Sequence, residues 1–162
     1  MHIIRYLFVI TAMLTSISAF AQKSKPAESE NSQLVWMDWN EGYEKAVKTG
    51  KIVLVDAYTD WCGWCKKMDR DTYSQIEIIK KINEHFIPIK FNPEIEDRIY
   101  KIGTESYSGA QLYSLLTQGN STGFPTIYYI FPAKKRIMLD AGYKNPTDFM
   151  AVLNHIIEEG KK

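Results

Sequence analysis

The chain contains short continuous apolar runs separated by segments with helical spacing, a pattern typical of alternating strands and helices. Apolar runs at 51–58, 86–92 and 124–131 predict strands. The first of them is continuous and rich in β-branched and aliphatic residues, which is typical of a strand buried on both faces. The segment 135–142 predicts a hairpin partner for the third of these strands. A shorter run at 34–39 predicts a first strand ahead of them.

Four other segments show helical spacing, and they cover residues 39–51, 62–73, 74–86 and 145–162. In the first of them, Tyr43, Ala46 and Val47 share one face, and Gly50 is placed to end the helix. Ser74 is predicted to cap the third helix. The predicted inner face of the last helix consists of Phe149, Val152, Leu153 and Ile156.

The stretch 94–122 precedes the last pair of predicted strands, and it predicts two short helices joined by Gly103 and Gly109. With this stretch included, the predicted order of elements is β-α-β-α-β-α-β-β-α. That order implies an α/β domain over residues 34–160, with a central mixed sheet flanked by helices on both faces.

The first 21 residues have the composition of a secretory signal peptide. Arg5 supplies the positive start, an apolar run covers 6–17, and Ala19-Phe20-Ala21 provides the small residues of a cleavage site. The alternative is an uncleaved anchor, but the apolar run is shorter than the roughly 20 residues that cross a bilayer. Residues 22–33 are polar and predict a flexible tether. We therefore expect an exported, periplasmic or extracytoplasmic protein that is soluble after cleavage.

Composition narrows the partners of the mature protein. Removal of 21 of the 162 residues leaves 141, and Arg5 is the one charged residue lost, so 19 basic and 19 acidic residues remain. This neutral balance argues against nucleic acid, whose binding needs a basic patch. A domain of this size buries a core without cross-links, so the fold does not need its two cysteines as staples. We expect a monomer.

The two cysteines, Cys62 and Cys65, stand in the stretch TDWCGWCKKM, and three roles are open to them. A structural zinc site needs about four ligands. Only His85 and His155 follow the predicted cleavage site, and neither has ligand spacing to the cysteines, so no metal is expected. A passive disulfide that closes so small a loop removes little entropy from the unfolded chain. The third role is thiol–disulfide exchange, since exported proteins occupy compartments where thiols oxidise.

Position favours the exchange role. Cys62 follows a predicted buried strand and begins a predicted helix, whose N-terminus carries unpaired N–H groups that favour a thiolate. Cys62 is therefore the expected nucleophile. Cys65, one helical turn further, is expected to resolve the mixed disulfide. We also expect Cys62 to be accessible and Cys65 to be covered.

The segment VLVDAYTDWCGWCKKM resembles the active-site segment of the thioredoxin superfamily. Gly123-Phe124-Pro125-Thr126 resembles the cis-proline loop of the same superfamily, and the similarity extends over residues 34–157. Within the superfamily, the chain is similar to exported thioredoxin-like proteins such as the C-terminal domain of the transmembrane thiol:disulfide interchange protein. The resemblance implies a thioredoxin fold with a helical insertion before the cis-proline loop.

The resemblance also implies roles for single residues. Asp56, six residues before Cys62, would accept or relay the proton of Cys65, with a pKa raised by burial. Lys90 would lie near that carboxylate. Pro125 would be cis and would present the backbone of Phe124 to an extended substrate. The alternatives are an acid at the solvated end of its strand, a solvated lysine and an ordinary trans proline.

Three residues around the cysteines complete the predicted substrate site. Trp61 matches a tryptophan that shields the active site in the superfamily. Gly63 and Trp64 stand between the cysteines, where common thioredoxins have Gly-Pro. Trp64 is either an apolar docking surface or a packing residue. The long stretch 94–122 is either a cap that selects substrates or a structural insertion.

These observations predict a thiol:disulfide oxidoreductase that acts on exported proteins. No cationic group lies between the cysteines to stabilise the thiolate, which favours a reductant over a strong oxidant. The expected partners are protein thiols and disulfides and an upstream thiol donor, for example a membrane reductase. No cofactor is expected beyond the Cys62–Cys65 disulfide. The alternatives are a disulfide isomerase or oxidase on the same fold, and a peptide-binding module in which the cysteines are incidental.

Overall fold

The structure is a computed structural model, and it describes residues 33–120 and 122–162. The predicted signal peptide and all of the predicted tether except Gln33 lie outside the described residues. Over the described ranges, no helix is long and apolar enough to cross a membrane.

Six strands and five helices are found in the described part of the chain. The strands are β1 (Ile52–Ala57), β2 (Phe86–Phe91), β3 (Tyr100–Ile102), β4 (Glu105–Tyr107), β5 (Thr126–Phe131) and β6 (Arg136–Ala141). The helices are α1 (Trp39–Thr49), α2 (Gly63–Asp71), α3 (Ile76–His85), α4 (Gly109–Thr117) and α5 (Pro146–Lys161). A 3-10 turn, Pro132–Lys134, connects β5 to β6.

Four of the strands form one mixed sheet in the order β2-β1-β5-β6. The β1–β2 pair is parallel, whereas β5 runs antiparallel to both β1 and β6. The predicted mixed sheet is confirmed. One row across it consists of residues that lie opposite one another in the four neighbouring strands, and these are Lys90, Asp56, Ile127 and Asp140.

Helices cover both faces of this sheet, as predicted. Successive residues of a strand point to opposite faces, so β1 contributes to two cores. Val55 packs in the core that includes Trp39 of α1, and Leu54 packs in the core that includes Met68 of α2. Asp56 is two residues after Leu54 in β1, so the two side chains point to the same face of the sheet. The Asp56 side chain therefore lies on the face that α2 covers.

Residues 34–39 do not form the predicted first strand. Met37 makes an isolated parallel bridge to Ile89, and its N–H lies 2.9 Å from the Pro88 carbonyl oxygen. The Asp38 side chain accepts a hydrogen bond of 2.8 Å from the Asn40 N–H and caps α1. The chain thus turns into a helix before a strand can extend. Pro88 has no N–H, which further limits pairing along this outer edge of β2.

The stretch 94–122 contains a hairpin and one helix rather than two helices. Strands β3 and β4 pair antiparallel, with Tyr100 opposite Tyr107. Gly103 has φ +61° in the turn between them, a conformation that glycine adopts without steric cost. Only the second predicted helix is present, as α4. It begins with a capping box formed by Ser108 and Gln111.

Two predicted details of the helices are wrong. Val47 is exposed, because the buried stripe of α1 consists of Trp39, Gly42 and Ala46. Ser74 does not cap α3. Its hydroxyl donates to the Arg70 carbonyl oxygen at 2.6 Å, which leaves Gln75 at the N-cap position without a side-chain hydrogen bond. On the inner face of α5, Phe149, Leu153 and Ile156 are buried as predicted and Val152 is half-buried.

Candidate active site

Cys62 and Cys65 lie at the start of α2 and are joined in a disulfide. Cys62 is the N-cap residue, with extended backbone at φ −71° and ψ 99°, and Cys65 stands in the first helical turn. The Cys65 backbone N–H donates a hydrogen bond of 3.1 Å to the Cys62 Sγ. A main-chain donor at a helix N-terminus stabilises negative charge. This position therefore suits a sulfur that ionises.

The exposure of the two sulfur-bearing residues is the same, which corrects a prediction. Cys62 and Cys65 are each 3% exposed. The expectation of an accessible Cys62 and a covered Cys65 is wrong for the disulfide form, because the disulfide turns the Cys62 sulfur towards Cys65 and the body of α2. The helical position, rather than exposure, is what distinguishes the two cysteines.

The loop before β5 contacts Trp61, the residue that precedes Cys62. The Phe124–Pro125 bond is cis, as the resemblance predicts. The Phe124 ring meets the Trp61 indole edge to face, with ring centroids 6.0 Å apart. The Pro125 carbonyl oxygen accepts a hydrogen bond of 2.8 Å from the Gly142 N–H, which ties the loop to the end of β6. Within residues 33–120 and 122–162, the backbone N–H and C=O of Phe124 have no hydrogen-bond partner. They are therefore available to an extended chain.

Asp56 and Lys90 form the predicted pair. Asp56 is 1% exposed, so it is buried within the sheet and does not lie at a solvated strand end. Lys90 faces it from β2 and donates a hydrogen bond of 2.5 Å to Asp56 Oδ2. The same ammonium lies 2.6 Å from Asp69 Oδ1 on α2. Asp69 thus adds a second carboxylate that sequence reasoning missed.

Burial dominates the electrostatics of Asp56. It raises the pKa of the carboxyl above its ordinary value, and the neighbouring Lys90 charge acts in the opposite direction without cancelling it. Burial by itself would lower the pKa of Lys90. The carboxylates of Asp56 and Asp69 outweigh that effect, so the pKa of Lys90 is raised. Burial therefore makes the Asp56 carboxylate a stronger proton acceptor than an exposed aspartate.

Aromatic rings surround the Lys90 ammonium. Its Nζ lies 4.8 Å from the Trp36 ring centroid, 5.1 Å from that of Tyr58 and 5.4 Å from that of Tyr73. Such contacts stabilise a cation that has been removed from water. The lysine is consequently fixed between the buried carboxylate and solvent.

The Trp61 indole is exposed and is held by Glu94. Trp61 is 69% exposed, and its indole Nε1–H lies 3.2 and 3.1 Å from the two carboxylate oxygens of Glu94. Glu94 belongs to the stretch 94–122. The same stretch supplies Tyr113, whose ring stacks on Phe124 with centroids 5.4 Å apart. The insertion thus contributes directly to the rim of the site.

Trp64 forms a second exposed aromatic surface on the other side of the cysteines. It is 59% exposed, and its ring lies 5.5 Å from the Tyr143 ring, centroid to centroid. The Lys67 ammonium lies 5.1 Å from the centroid of the same Tyr143 ring. Next to Trp64, a Cβ built on Gly63 would have no heavy atom within 4 Å, so the segment between the cysteines faces open space.

Sequence reasoning missed three residues that touch the site, namely Asp69, Glu94 and Tyr143. Each reaches the site only through tertiary contacts, and no local motif marks them. In the described part of the chain, no cluster of three or more potential metal ligands is found.

A family model described as "Thioredox_DsbH: Protein of unknown function, DUF255" matches residues 18–159 of the chain. The chain belongs to the Thioredox_DsbH family. It is a thioredoxin-like disulfide oxidoreductase family, and in this member the redox-active pair is Cys62 and Cys65. The predicted superfamily and the oxidoreductase class are confirmed.

Several relatives agree with this membership. The chain is 29% identical over 113 residues to the thiol:disulfide interchange protein DsbD of Tatumella citrea. That match covers 68% of this Thioredox_DsbH member but only 17% of DsbD. Among solved structures, a thioredoxin from Thermus thermophilus aligns with a TM-score of 0.61 and 16% identity, over 79% of this chain and 90% of that one. A DsbH oxidoreductase aligns with a TM-score of 0.59 and 18% identity, over 85% of this chain and 92% of that one. These two structures confirm the thioredoxin fold.

Proposed function

We propose that this protein is an exported thiol:disulfide oxidoreductase that reduces disulfides in other exported proteins. One observation carries the proposal. Cys62 caps α2 with its Sγ 3.1 Å from the Cys65 N–H, and Phe124, whose backbone has no partner in the described residues, packs against the neighbouring Trp61. This arrangement supplies a nucleophile, a resolving thiol and a place for a substrate chain.

The reaction begins with both cysteines reduced. The Cys62 thiolate, stabilised by the N-terminus of α2, attacks one sulfur of a substrate disulfide. A Cys62–substrate disulfide forms, and the other substrate sulfur leaves as a thiolate. In the second step the Cys65 thiolate attacks Cys62 Sγ and releases the remaining substrate sulfur. The substrate gains two electrons, and the Cys62–Cys65 disulfide seen in the structure forms again.

Asp56 accepts the proton that Cys65 loses in the second step. Its raised pKa allows the carboxylate to accept the proton of Cys65 as that thiol becomes the attacking sulfur. Lys90 then supports this acid, since its Nζ contacts Asp56 Oδ2 and, through Asp69 Oδ1, the protein surface. The proton thereby has a defined acceptor inside an otherwise apolar core.

Substrate docking uses the surface on both sides of the cysteines. An extended substrate would pair with the backbone of Phe124, next to Pro125. Trp61 and Trp64 offer exposed apolar area, and Gly63 leaves the approach between them open. Exposed aromatic side chains are typical of binding surfaces.

The residues between the cysteines support a reductant, because they add no cationic side chain to the stabilisation that α2 gives the thiolate. Strong oxidants of this fold owe their potential to a strongly stabilised reduced form. Here Gly63 and Trp64, the residues between the cysteines, carry no charge. The oxidised form is therefore favoured after reaction, which describes a reductant. An upstream dithiol protein, for example a membrane reductase, would return two electrons to the Cys62–Cys65 disulfide.

Trapping experiments test the roles of the two cysteines. A Cys65→Ser protein should accumulate a mixed disulfide between Cys62 and a substrate, because the resolving thiol is gone. A Cys62→Ser protein should trap little. Mass spectrometry of the captured species identifies the linked cysteine. Trapping mainly through Cys65 in the Cys62→Ser protein would reverse the assignment.

A redox titration tests the direction. We expect a potential close to that of thioredoxins, about −270 mV, together with reduction of insulin disulfides. A value as oxidising as about −180 mV or above would contradict a reductant and would support an isomerase or an oxidase. A Cys62→Ala, Cys65→Ala double variant that retains full biological function would support a peptide-binding module.

Export is a separate part of the proposal. We propose cleavage after Ala21, which leaves the tether 22–33 in front of the domain 34–160. N-terminal sequencing of the protein from fractionated cells should give Gln22 in the extracytoplasmic fraction. Recovery of the intact N-terminus from the membrane fraction would contradict cleavage and support an anchor.

A further inference from the structure

Tyr73 has a buried hydroxyl that the reaction described above does not use. It lies just after α2 and is 4% exposed. Its oxygen has no hydrogen-bond partner within the described residues, and neither has Oδ1 of the buried Asp56. Buried polar atoms without a partner are rare in native proteins. Asp56 and Tyr73 also contact the same Lys90 ammonium, and their two orphaned atoms therefore call for a common explanation.

The two orphaned groups belong to the same side of the sheet. Lys90 Nζ lies 2.5 Å from Asp56 Oδ2 and 5.4 Å from the Tyr73 ring centroid, so the carboxyl and the phenol ring contact the same ammonium. The Tyr73 ring is fixed edge to face by Trp36 at 5.0 Å and by Phe149 at 5.5 Å between centroids. The Asp56 charge is close enough to add to the effect of burial in raising the pKa of Tyr73.

We propose that Tyr73 is a positioning residue that donates its hydroxyl hydrogen to Asp56 Oδ1 whenever that carboxylate is ionised. Lys90 already holds Oδ2. The two donors together would fix both oxygens of the proton acceptor beneath α2. The inference rests on the proposed role of Asp56 as the acceptor of the Cys65 proton.

The titration of Asp56 reports on this contact. Four ionisable groups face Asp56 from the surrounding elements, namely Lys90 on β2, Asp69 on α2, Tyr73 after α2 and Tyr129 on β5. A donor to the ionised form of a carboxyl favours ionisation. Replacement of Tyr73 by phenylalanine removes one such donor, so the midpoint of the Asp56 titration should move upwards by about one pH unit.

Carbon-13 NMR of the full-length oxidised protein measures this midpoint directly. The Asp56 carboxyl carbon is followed against pH in the wild type and in the Tyr73→Phe protein. Because the measurement uses the disulfide form and no substrate, it is independent of catalytic activity. An unchanged or lowered midpoint in Tyr73→Phe would overturn the inference while leaving the proposed function untouched.

Tyr129→Phe is the matched control. Tyr129 is another buried tyrosine whose hydroxyl has no hydrogen-bond partner in the described residues. Its pKa is raised mainly by burial, then by the charge of Asp140, and less by the charge of Asp56. We expect its effect on the Asp56 midpoint to be several times smaller than that of Tyr73→Phe. Equal shifts in the two variants would show a general effect of buried hydroxyls and would refute a specific contact.

A kinetic readout connects the contact to the reaction. The release of the second substrate thiol, measured in single turnovers, should lose rate at low pH as Asp56 becomes protonated. In Tyr73→Phe the pH at which this rate declines should rise by the same amount as the NMR midpoint. At a pH well below both midpoints, a shift of one pH unit makes the rate of the variant about tenfold lower than that of the wild type. If the NMR midpoint moves but the pH dependence of the release rate does not, the result would contradict the proton role of Asp56 and leave the Tyr73–Asp56 contact supported.

The wild type provides a test that does not depend on the folding of a variant. If the hydrogen bond exists, the ring carbon that bears the Tyr73 hydroxyl should change its chemical shift with the same midpoint as the Asp56 carboxyl carbon. A Tyr73 signal that stays constant through the Asp56 titration would overturn the inference.

Discussion

The replacement Gly109→Ala should disturb the fold and the active site together. Gly109 is the first residue of α4, and a Cβ built there lies 2.2 Å from the Pro93 carbonyl oxygen and 2.9 Å from the Pro93 carbonyl carbon. Folded proteins essentially never contain Cβ contacts below 3.0 Å, so helix and loop must separate by close to 1 Å. Both clashing atoms belong to the backbone. No side-chain rotation can relieve the contact.

The size of the effect follows from two opposing terms. Overpacking of this kind costs about 1–3 kcal/mol. The lower entropy of the unfolded chain returns about 0.4–1 kcal/mol when alanine replaces glycine. We expect a net loss of about 1–2 kcal/mol, which for a domain of this size lowers the melting temperature by roughly 4–10 °C.

Gly63→Ala provides a matched control. Gly63 is also the first residue of a helix, but a Cβ there would have no heavy atom within 4 Å. Its melting temperature should stay constant or rise slightly. Differential scanning calorimetry of the two oxidised proteins compares them. An equal or higher melting temperature for Gly109→Ala than for the wild type would refute the steric argument.

The same substitution should be visible at the rim of the site. Glu94 follows Pro93 directly and holds the Trp61 indole Nε1–H at 3.1 Å. A displaced loop moves that carboxylate, so the Trp61 indole resonance should shift in a nitrogen-15 spectrum of Gly109→Ala. In Gly63→Ala, the Glu94 contact has no reason to change.

Three further predictions concern the core and the site. Because the folded pKa of Asp56 is raised, its ionisation opposes folding; this penalty is absent below about pH 4 and grows as the pH rises through the folded value. In Asp56→Asn, Lys90 keeps its contact with Asp69. This variant should therefore have a higher melting temperature than the wild type at pH 7, but not below pH 4. An increase that does not depend on pH would contradict this account. Phe149→Ala should lose about 3–5 kcal/mol in urea unfolding, since the ring is fully buried, and a loss below about 1 kcal/mol would show that the core collapses around it. Glu94→Ala should change stability by less than about 0.5 kcal/mol, because its bond to Trp61 is exposed, yet it should slow insulin reduction; an unchanged rate would show that the held indole does not aid docking.

Much of the fold is predictable because its signals are local. The runs that become β1, β2 and β5 are mainly apolar, with Asp56 in β1 and Lys90 in β2 as the charged exceptions, because a strand buried between two helical layers tolerates few polar residues. The run 34–39 is equally apolar but forms no strand, since Asp38 caps a helix and Pro88 lacks a donor on the facing edge. The hairpin of β3 and β4 was not predictable for a similar reason. Each strand has three residues, too few for a period to appear.

In the site, too, the residues marked by local sequence spacing were predictable, and those placed by tertiary contacts were not. The cysteines, the buried acid and the proline loop stand at fixed spacings that a single sequence displays. Asp69 and Glu94 have ordinary neighbours in sequence and gain their significance only from contacts with Lys90 and Trp61. Cys62 is buried against the expectation, because its burial is set by the contacts of the folded chain around the disulfide. Sequence spacing carries no information about those contacts.

The outer edge of β2 has a consequence for how the domain behaves at high concentration. Edge strands with free donors and acceptors recruit strands from other molecules and lead to aggregates. Here Pro88 offers no hydrogen to an incoming strand, and its carbonyl oxygen is already bonded to the Met37 N–H. A neighbouring molecule therefore finds neither a donor nor a free acceptor at Pro88, which makes this position of the β2 edge a poor place for intermolecular strand pairing.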